Sequence, residues 1–61
     1  MIQIKAMRKA RGMTAKDLSE LCGCSRALIT MIENREVTPT VRIAKKLGMI
    51  FNFNWWLLYD D

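Results

Sequence analysis

The chain has no histidine, two cysteines and a single proline in 61 residues. Without histidine, two thiols cannot supply the four nitrogen or sulfur ligands of a zinc site within one chain, and we expect no metal or other cofactor. Only one residue separates Cys22 from Cys24, which argues against a disulfide scaffold and predicts reduced thiols. We interpret both cysteines as small packing residues, with Cys22 on the core face; the alternative is a redox sensor.

Long apolar segments are also missing. No uncharged apolar run approaches the roughly 18 residues that a membrane span needs, and the first residues show no apolar core of a signal peptide. The 51% hydrophobic content suits one globular core and argues against disorder. We therefore expect a single cytoplasmic domain that covers residues 1–61.

Charge and aromatic residues are unevenly distributed. All ten basic residues lie in positions 1–46 together with four acidic ones, a net charge of +6, and the remaining positions carry only Asp60 and Asp61. All of the aromatic residues lie in the C-terminal segment 51–61. A basic body suggests a polyanionic partner. The alternative is a soluble protein whose surplus lysines are merely solvated.

Apolar spacing and capping residues predict five helices and no strand. The first helix covers residues 2–11 and ends at Gly12. The second begins at Thr14, which forms a capping-box pattern with Asp17. It ends at Gly23, because the tight turn there needs a residue that tolerates positive φ.

The third helix follows at once. Ser25 caps its first turn, and Asn34 closes it. Two short helices joined by a tight glycine turn are typical of a helix-turn-helix, here over residues 14–34.

The fourth helix is predicted to begin with Pro39 at the first helical position. Its apolar stripe continues past Gly48, so we expect the helix to run to about Phe51, with close packing offsetting the cost of the glycine. Asn54 then caps a last short helix, from Trp55 to Tyr59.

The most specific signal is a set of residues that is densest between Gly23 and Asn34 and extends over nearly the whole chain. Its members are Arg8, Arg11-Gly12-Met13-Thr14, Asp17-Leu18-Ser19, Gly23-Cys24-Ser25-Arg26, Ile29, Ile32-Glu33-Asn34, Pro39, Lys46-Leu47-Gly48 and Phe51-Asn52-Phe53. With these residues the chain resembles the phage repressor and Cro family, often called the XRE family. The resemblance implies an all-α, lambda repressor-like bundle that contains a helix-turn-helix.

In that fold the third helix enters the major groove of DNA with its N-terminal residues toward the base edges. The face opposite the core would carry the base-reading residues, namely Arg26, Ala27, Thr30 and Ser25. Phosphate contacts are expected at the start of the second helix and around the end of the third, from Thr14, Ala15, Lys16, Asn34, Arg35 and Arg42. The resemblance also makes Arg8 and Glu33 a partly buried structural ion pair.

The aromatic end has two interpretations. Adjacent tryptophans on a helix point about 100° apart, so Trp55 and Trp56 cannot both face one core. One interpretation is a homodimer interface formed by Trp55, Trp56 and Tyr59. The alternative is that all the aromatics close the core of a monomer. A stacking platform for single-stranded nucleic acid is disfavoured, because Asp60 and Asp61 repel phosphate.

The sequence thus predicts a sequence-specific regulator of transcription that binds double-stranded DNA, a small dimeric repressor or Cro-like protein from a phage or bacterium, cytoplasmic and nucleoid-associated. The competing hypothesis is an antitoxin or another protein-interaction module that uses the aromatic surface. An enzyme is not expected, since the chain has no histidine and no nucleophile placed beside a plausible base.

Overall fold

The computed structural model describes residues 2–59 and shows an all-α arrangement over that range. The predicted all-α class is confirmed, but the count of five helices is wrong, because the described residues form four α-helices and the last helical segment is only a short 3-10 helix. The elements are α1 (Ile4–Ala10), α2 (Ala15–Cys22), α3 (Arg26–Glu33), α4 (Val41–Phe51) and the C-terminal 3-10 helix (Trp55–Tyr59). The acidic end, Asp60 and Asp61, lies outside the described residues.

The helix-turn-helix is formed by local capping, as predicted. The Thr14 hydroxyl accepts a hydrogen bond from the Asp17 N–H (3.0 Å), and the Asp17 carboxylate accepts one from the Thr14 N–H (2.9 Å). Gly23 ends α2 in the left-handed region (φ 70°), and the Ser25 hydroxyl accepts from the Leu28 N–H (3.1 Å) at the start of α3. Each cap satisfies backbone groups that a helix end leaves unpaired.

The start of α4 differs from the prediction. Thr40 is the N-cap, and its hydroxyl accepts from the Ile43 N–H (3.3 Å), so the helix begins at Val41. The prediction of Pro39 at the first helical position is therefore wrong. A threonine side chain can satisfy a first-turn N–H, whereas proline only tolerates the absence of one, and the cap moves to Thr40.

Helix α4 runs through Gly48 to Phe51, as predicted, and it ends at Asn52 in the left-handed region (φ 59°). The glycine is buried under the chain that follows. A Cβ added at Gly48 would lie 2.8 Å from the Phe53 carbonyl oxygen and 3.0 Å from the Cβ of Trp55. The lost helix propensity, about 1 kcal/mol, is thus exchanged for close approach of the C-terminal segment.

The core is built from one apolar face of each α-helix. Leu18, Cys22, Ile29 and Leu47 are the largest fully buried side chains. Ile4, Ile32, Ile43, Ala44 and Phe51 complete the buried set. No helix in the described part of the chain is long and apolar enough to cross a membrane.

The predicted partners Arg8 and Glu33 form an ion pair that ties α1 to the end of α3. The guanidinium donates to both carboxylate oxygens, from Nε at 2.7 Å and from Nη2 at 3.3 Å, and its Nη1 donates to the Met13 carbonyl at 2.8 Å. Both side chains are nine-tenths buried or more. The hydrogen bond to Glu33 raises the pKa of Arg8, so the guanidinium stays charged.

Candidate nucleic-acid interface

One face of α3 is exposed, and the opposite face lies in the core. Ile29 and Ile32 are buried, and the exposed residues at the start and middle of the helix are Ser25, Arg26, Ala27 and Thr30. This is the set predicted to face base edges. Among the residues described, Arg26 takes part in no ion pair, so its guanidinium is available to a ligand.

The hydroxyl groups of Ser25 and Thr30 on this face each form one hydrogen bond within the chain. Ser25 Oγ accepts from the Leu28 N–H, which leaves its hydrogen available for donation. Thr30 Oγ1 donates to the Arg26 carbonyl (3.2 Å), so toward a ligand it presents an acceptor and a methyl group. Arg26 is therefore the one strong donor on the exposed face of α3.

The start of α2 offers less to an anion than its sequence suggests. The capping box takes the N–H groups of Thr14 and Asp17, and the N–H groups of Ala15 and Lys16 remain without a described partner. The Asp17 carboxylate lies at the same end. Hydrogen bonds from Thr14 lower the pKa of Asp17, so it is anionic at neutral pH. The positive charge of the exposed Lys16 side chain would therefore attract an anion more strongly here than these N–H groups would.

Asn34 and Arg35 lie at the C-terminal end of α3. They are about 12 Å from its N-terminal end, since the helix has eight residues. Both side chains are exposed. Arg35 adopts a left-handed backbone (φ 61°), and the turn is closed by hydrogen bonds from its N–H to the Ile32 carbonyl (3.1 Å) and from the Glu36 N–H to the Met31 carbonyl (2.9 Å). An arginine in this region costs roughly 1 kcal/mol or more.

Arg42 is exposed in the first turn of α4, and its charge lies near the α2–α3 turn. Burial raises the pKa of the Cys24 thiol, and the nearby Arg42 guanidinium opposes that rise. Burial raises the pKa of Cys22 in the same way. Both thiols are therefore poor nucleophiles, which fits the packing role assigned to them.

Three basic residues contact other groups of the chain. Besides Arg8, Arg11 donates to the Ile50 carbonyl and lies 5.0 Å from the centre of the Phe51 ring. Lys45 lies 5.6 Å from the Trp55 ring centre. No local pattern predicts the contacts of Arg11 and Lys45, because their partners lie on other elements. The other cations of α2, α3 and α4 and of the loop after α3 are exposed; they are Lys16, Arg26, Arg35, Arg42 and Lys46.

The aromatic residues predicted to form a dimer interface contact one another. The Trp55 ring lies edge-on to Trp56 (5.9 Å between centroids) and to Tyr59 (6.1 Å). Trp56 is 55% exposed and Tyr59 39% exposed, whereas Trp55 is half-buried beside α4. The Tyr59 hydroxyl donates to the Pro39 carbonyl (2.7 Å), so this residue also has a partner within the chain.

Two capped helices joined by a left-handed glycine turn, the second with one buried and one exposed face, define a helix-turn-helix protein. Comparison with known proteins agrees. The family model described as "Helix-turn-helix" matches residues 4–54. The chain belongs to this XRE/Cro-like helix-turn-helix family.

Two relatives carry similar sequences. The "Uncharacterized HTH-type transcriptional regulator YqaF" of Bacillus subtilis is 33% identical over 58 residues, which is 95% of this chain and 76% of that protein. An "Uncharacterized HTH-type transcriptional regulator" of Archaeoglobus fulgidus is 32% identical over 50 residues, 82% of this chain and 71% of that protein. No solved structure matches the chain significantly.

Proposed function

We propose that the protein is a sequence-specific transcription regulator that binds double-stranded DNA with α3 in the major groove. The observation that carries the proposal is the exposed face of α3, where Arg26 has no described ion-pair partner while Arg8 is buried against Glu33. Family membership and the printed names of both relatives support it. The family and these names favour a transcription regulator over an antitoxin.

Arg26 is the residue we assign to base recognition. A guanidinium can donate two hydrogen bonds to O6 and N7 of guanine, which is worth about 1–3 kcal/mol of discrimination. Ala27 and the Thr30 methyl group suit the C5-methyl of thymine, and the free hydrogen of Ser25 suits a phosphate or a base acceptor.

Phosphate contacts flank this face in the proposal. Lys16 and the N–H groups of Ala15 and Lys16 hold one phosphate beside the Thr14 cap, and Asn34 with Arg35 holds another. Arg42 adds a third positive charge at the start of α4. These contacts fix the register of the protein, whereas Arg26 reads sequence.

We infer further that the protein acts as a dimer and represses by occupying a promoter. Two copies joined through Trp55, Trp56 and Tyr59 would place two α3 helices on half-sites about one helical turn (~34 Å) apart. The exposed aromatic surface supports this, since aromatic residues are enriched in interface cores. Sedimentation equilibrium of wild type and Trp56→Ala tests it, because an unchanged monomeric mass for both would contradict a dimer.

A mobility-shift titration at several salt concentrations tests the main proposal. Wild type should bind DNA from upstream of its own gene more tightly than scrambled DNA, with affinity falling steeply as salt rises. Arg26→Ala should relax the preference at one base position about 10- to 100-fold, whereas Lys16→Ala should weaken all sequences alike.

Lys5→Ala is the matched control, since it removes the same charge from α1, outside the proposed contacts. Equal binding of upstream and scrambled DNA by the wild type at low salt would contradict the proposal.

A further inference from the structure

One hydrogen bond joins the C-terminal segment to the loop between α3 and α4. The Tyr59 hydroxyl donates to the Pro39 carbonyl at 2.7 Å, across 20 residues of sequence. Pro39 is buried and immediately precedes Thr40, the N-cap of α4. The bond therefore fixes the point at which the α3–α4 loop, residues 34–40, returns to the helical body.

The rest of that loop has little packing. Residues 34–38 are all exposed. A cleft of about 150 Å³ lies beside the loop, and the residues that line it include Val37, Thr38, Pro39, Leu57 and Leu58. Val37 and Thr38 therefore border the cleft and the surface rather than the core.

The start of the loop carries the positive charge that we assign to a phosphate. Arg35 holds a left-handed backbone that an arginine retains only when its surroundings impose it. Two backbone hydrogen bonds to α3 hold its near side. On the far side only Val37 and Thr38 separate Glu36 from Pro39, so a fixed Pro39 carbonyl limits the paths the chain can follow after Arg35.

The C-terminal segment contacts α4 at two points. It lies against α4 at Gly48, where a Cβ would come within 2.8 Å of the Phe53 carbonyl oxygen. Trp55 also lies 5.6 Å from Lys45 of α4. Tyr59 thus reaches the loop from a part of the chain that α4 holds in place.

We propose that Tyr59 is a positioning residue for DNA binding, whose hydroxyl holds the α3–α4 loop so that Arg35 meets a phosphate. The inference rests on the proposed function. It assigns to Tyr59 a role that is separate from any contact between two copies, because it depends on the hydroxyl rather than on the ring.

A double-mutant cycle in DNA binding tests this. Wild type, Tyr59→Phe, Arg35→Ala and the double variant are titrated against the duplex that wild type selects from a random pool, over a range of salt. Arg35→Ala should reduce the slope of log affinity against log salt by about one unit. Tyr59→Phe should reduce that slope in the same direction and weaken binding about two- to tenfold. The double variant should lose no more than Arg35→Ala alone.

Two controls accompany the cycle. Circular dichroism should show that Tyr59→Phe is folded at the assay temperature, and sedimentation equilibrium should give it the wild-type mass. A wild-type salt slope for Tyr59→Phe, additive losses in the double variant, or a changed mass would each overturn the positioning role. Failure of wild type itself to prefer any duplex would instead overturn the proposed function.

Discussion

The helix-turn-helix (residues 14–34) and the C-terminal segment (residues 52–59) are stabilised by contacts of different range. In the first, every cap joins residues three to five positions apart, as in the box of Thr14 and Asp17. In the second, Tyr59 reaches the Pro39 carbonyl, 20 positions away, and Trp55 lies against Lys45 of α4, ten positions away. The first is therefore specified largely by local sequence, whereas the second is ordered only on the folded body.

The largest expected effect on stability comes from breaking the ion pair between Arg8 and Glu33. This pair is a long-range contact that ties the end of the helix-turn-helix to α1. Glu33→Ala leaves Arg8 as a buried, unpaired cation, and we expect the free energy of unfolding to fall by about 3–5 kcal/mol in urea denaturation. The double variant Arg8→Met with Glu33→Leu should recover most of that loss, because it removes both charges.

A loss below about 1 kcal/mol for Glu33→Ala would be the value typical of a solvated pair. The helix-turn-helix would then depend on local capping more completely than we infer, and the contrast between the two regions would be sharper.

Gly48→Ala acts on the C-terminal segment. The added methyl group overlaps the Phe53 carbonyl oxygen, and this overpacking costs about 1–3 kcal/mol, which outweighs the roughly 1 kcal/mol of helix propensity that alanine gains. Both tryptophans lie in the segment, so their fluorescence should report its displacement while the helical circular dichroism changes little.

Met49→Ala is the control for this variant, since Met49 is the next residue on α4 and is 82% exposed. It should leave the fluorescence as in wild type. A Gly48→Ala variant more stable than wild type would contradict this explanation, because it would show that the C-terminal segment does not need a glycine at position 48.

The smallest effect is the pH dependence of the α2 cap. Hydrogen bonds from Thr14 lower the pKa of Asp17 in the folded protein below its ordinary value of 3.8. A depressed folded-state pKa contributes stability above the unfolded pKa, and that stability is lost as the pH falls through the folded value. Asp17→Ala should therefore melt at a lower temperature than wild type at neutral pH, and the gap should close in acid.

Thermal unfolding of both proteins from neutral to strongly acidic pH measures that gap. A gap that is constant across the range would mean that the Asp17 charge is not what stabilises the cap.

Much of the fold was predictable because its signals are local. Thr14, Gly23 and Ser25 mark helix ends by their own chemistry, and the apolar stripe of α4 carries through Gly48. The predicted start of α4 at Pro39 was wrong because Thr40, one residue later, is the better N-cap. The type of the last helix was not predictable, since five residues have no strong preference between α and 3-10 geometry away from their packing partners.

The candidate site divides in the same way. Residue type and helical period placed Arg26, Ala27 and Thr30 on the exposed face of α3. The hydrogen bond from Arg11 to the Ile50 carbonyl spans 39 positions of sequence, and the one from Tyr59 to the Pro39 carbonyl spans 20. No local sequence pattern predicts either bond.

The sequence by itself determined the all-α class, the helix-turn-helix and the exposed face of α3, because capping and apolar periodicity act over a few residues. Only the tertiary structure decided which cations remain available to a ligand and which residue holds the α3–α4 loop. It also decided how much the Asp17 carboxylate disfavours an anion at the start of α2. Those outcomes depend on distances between elements that are far apart in the chain, and packing sets such distances.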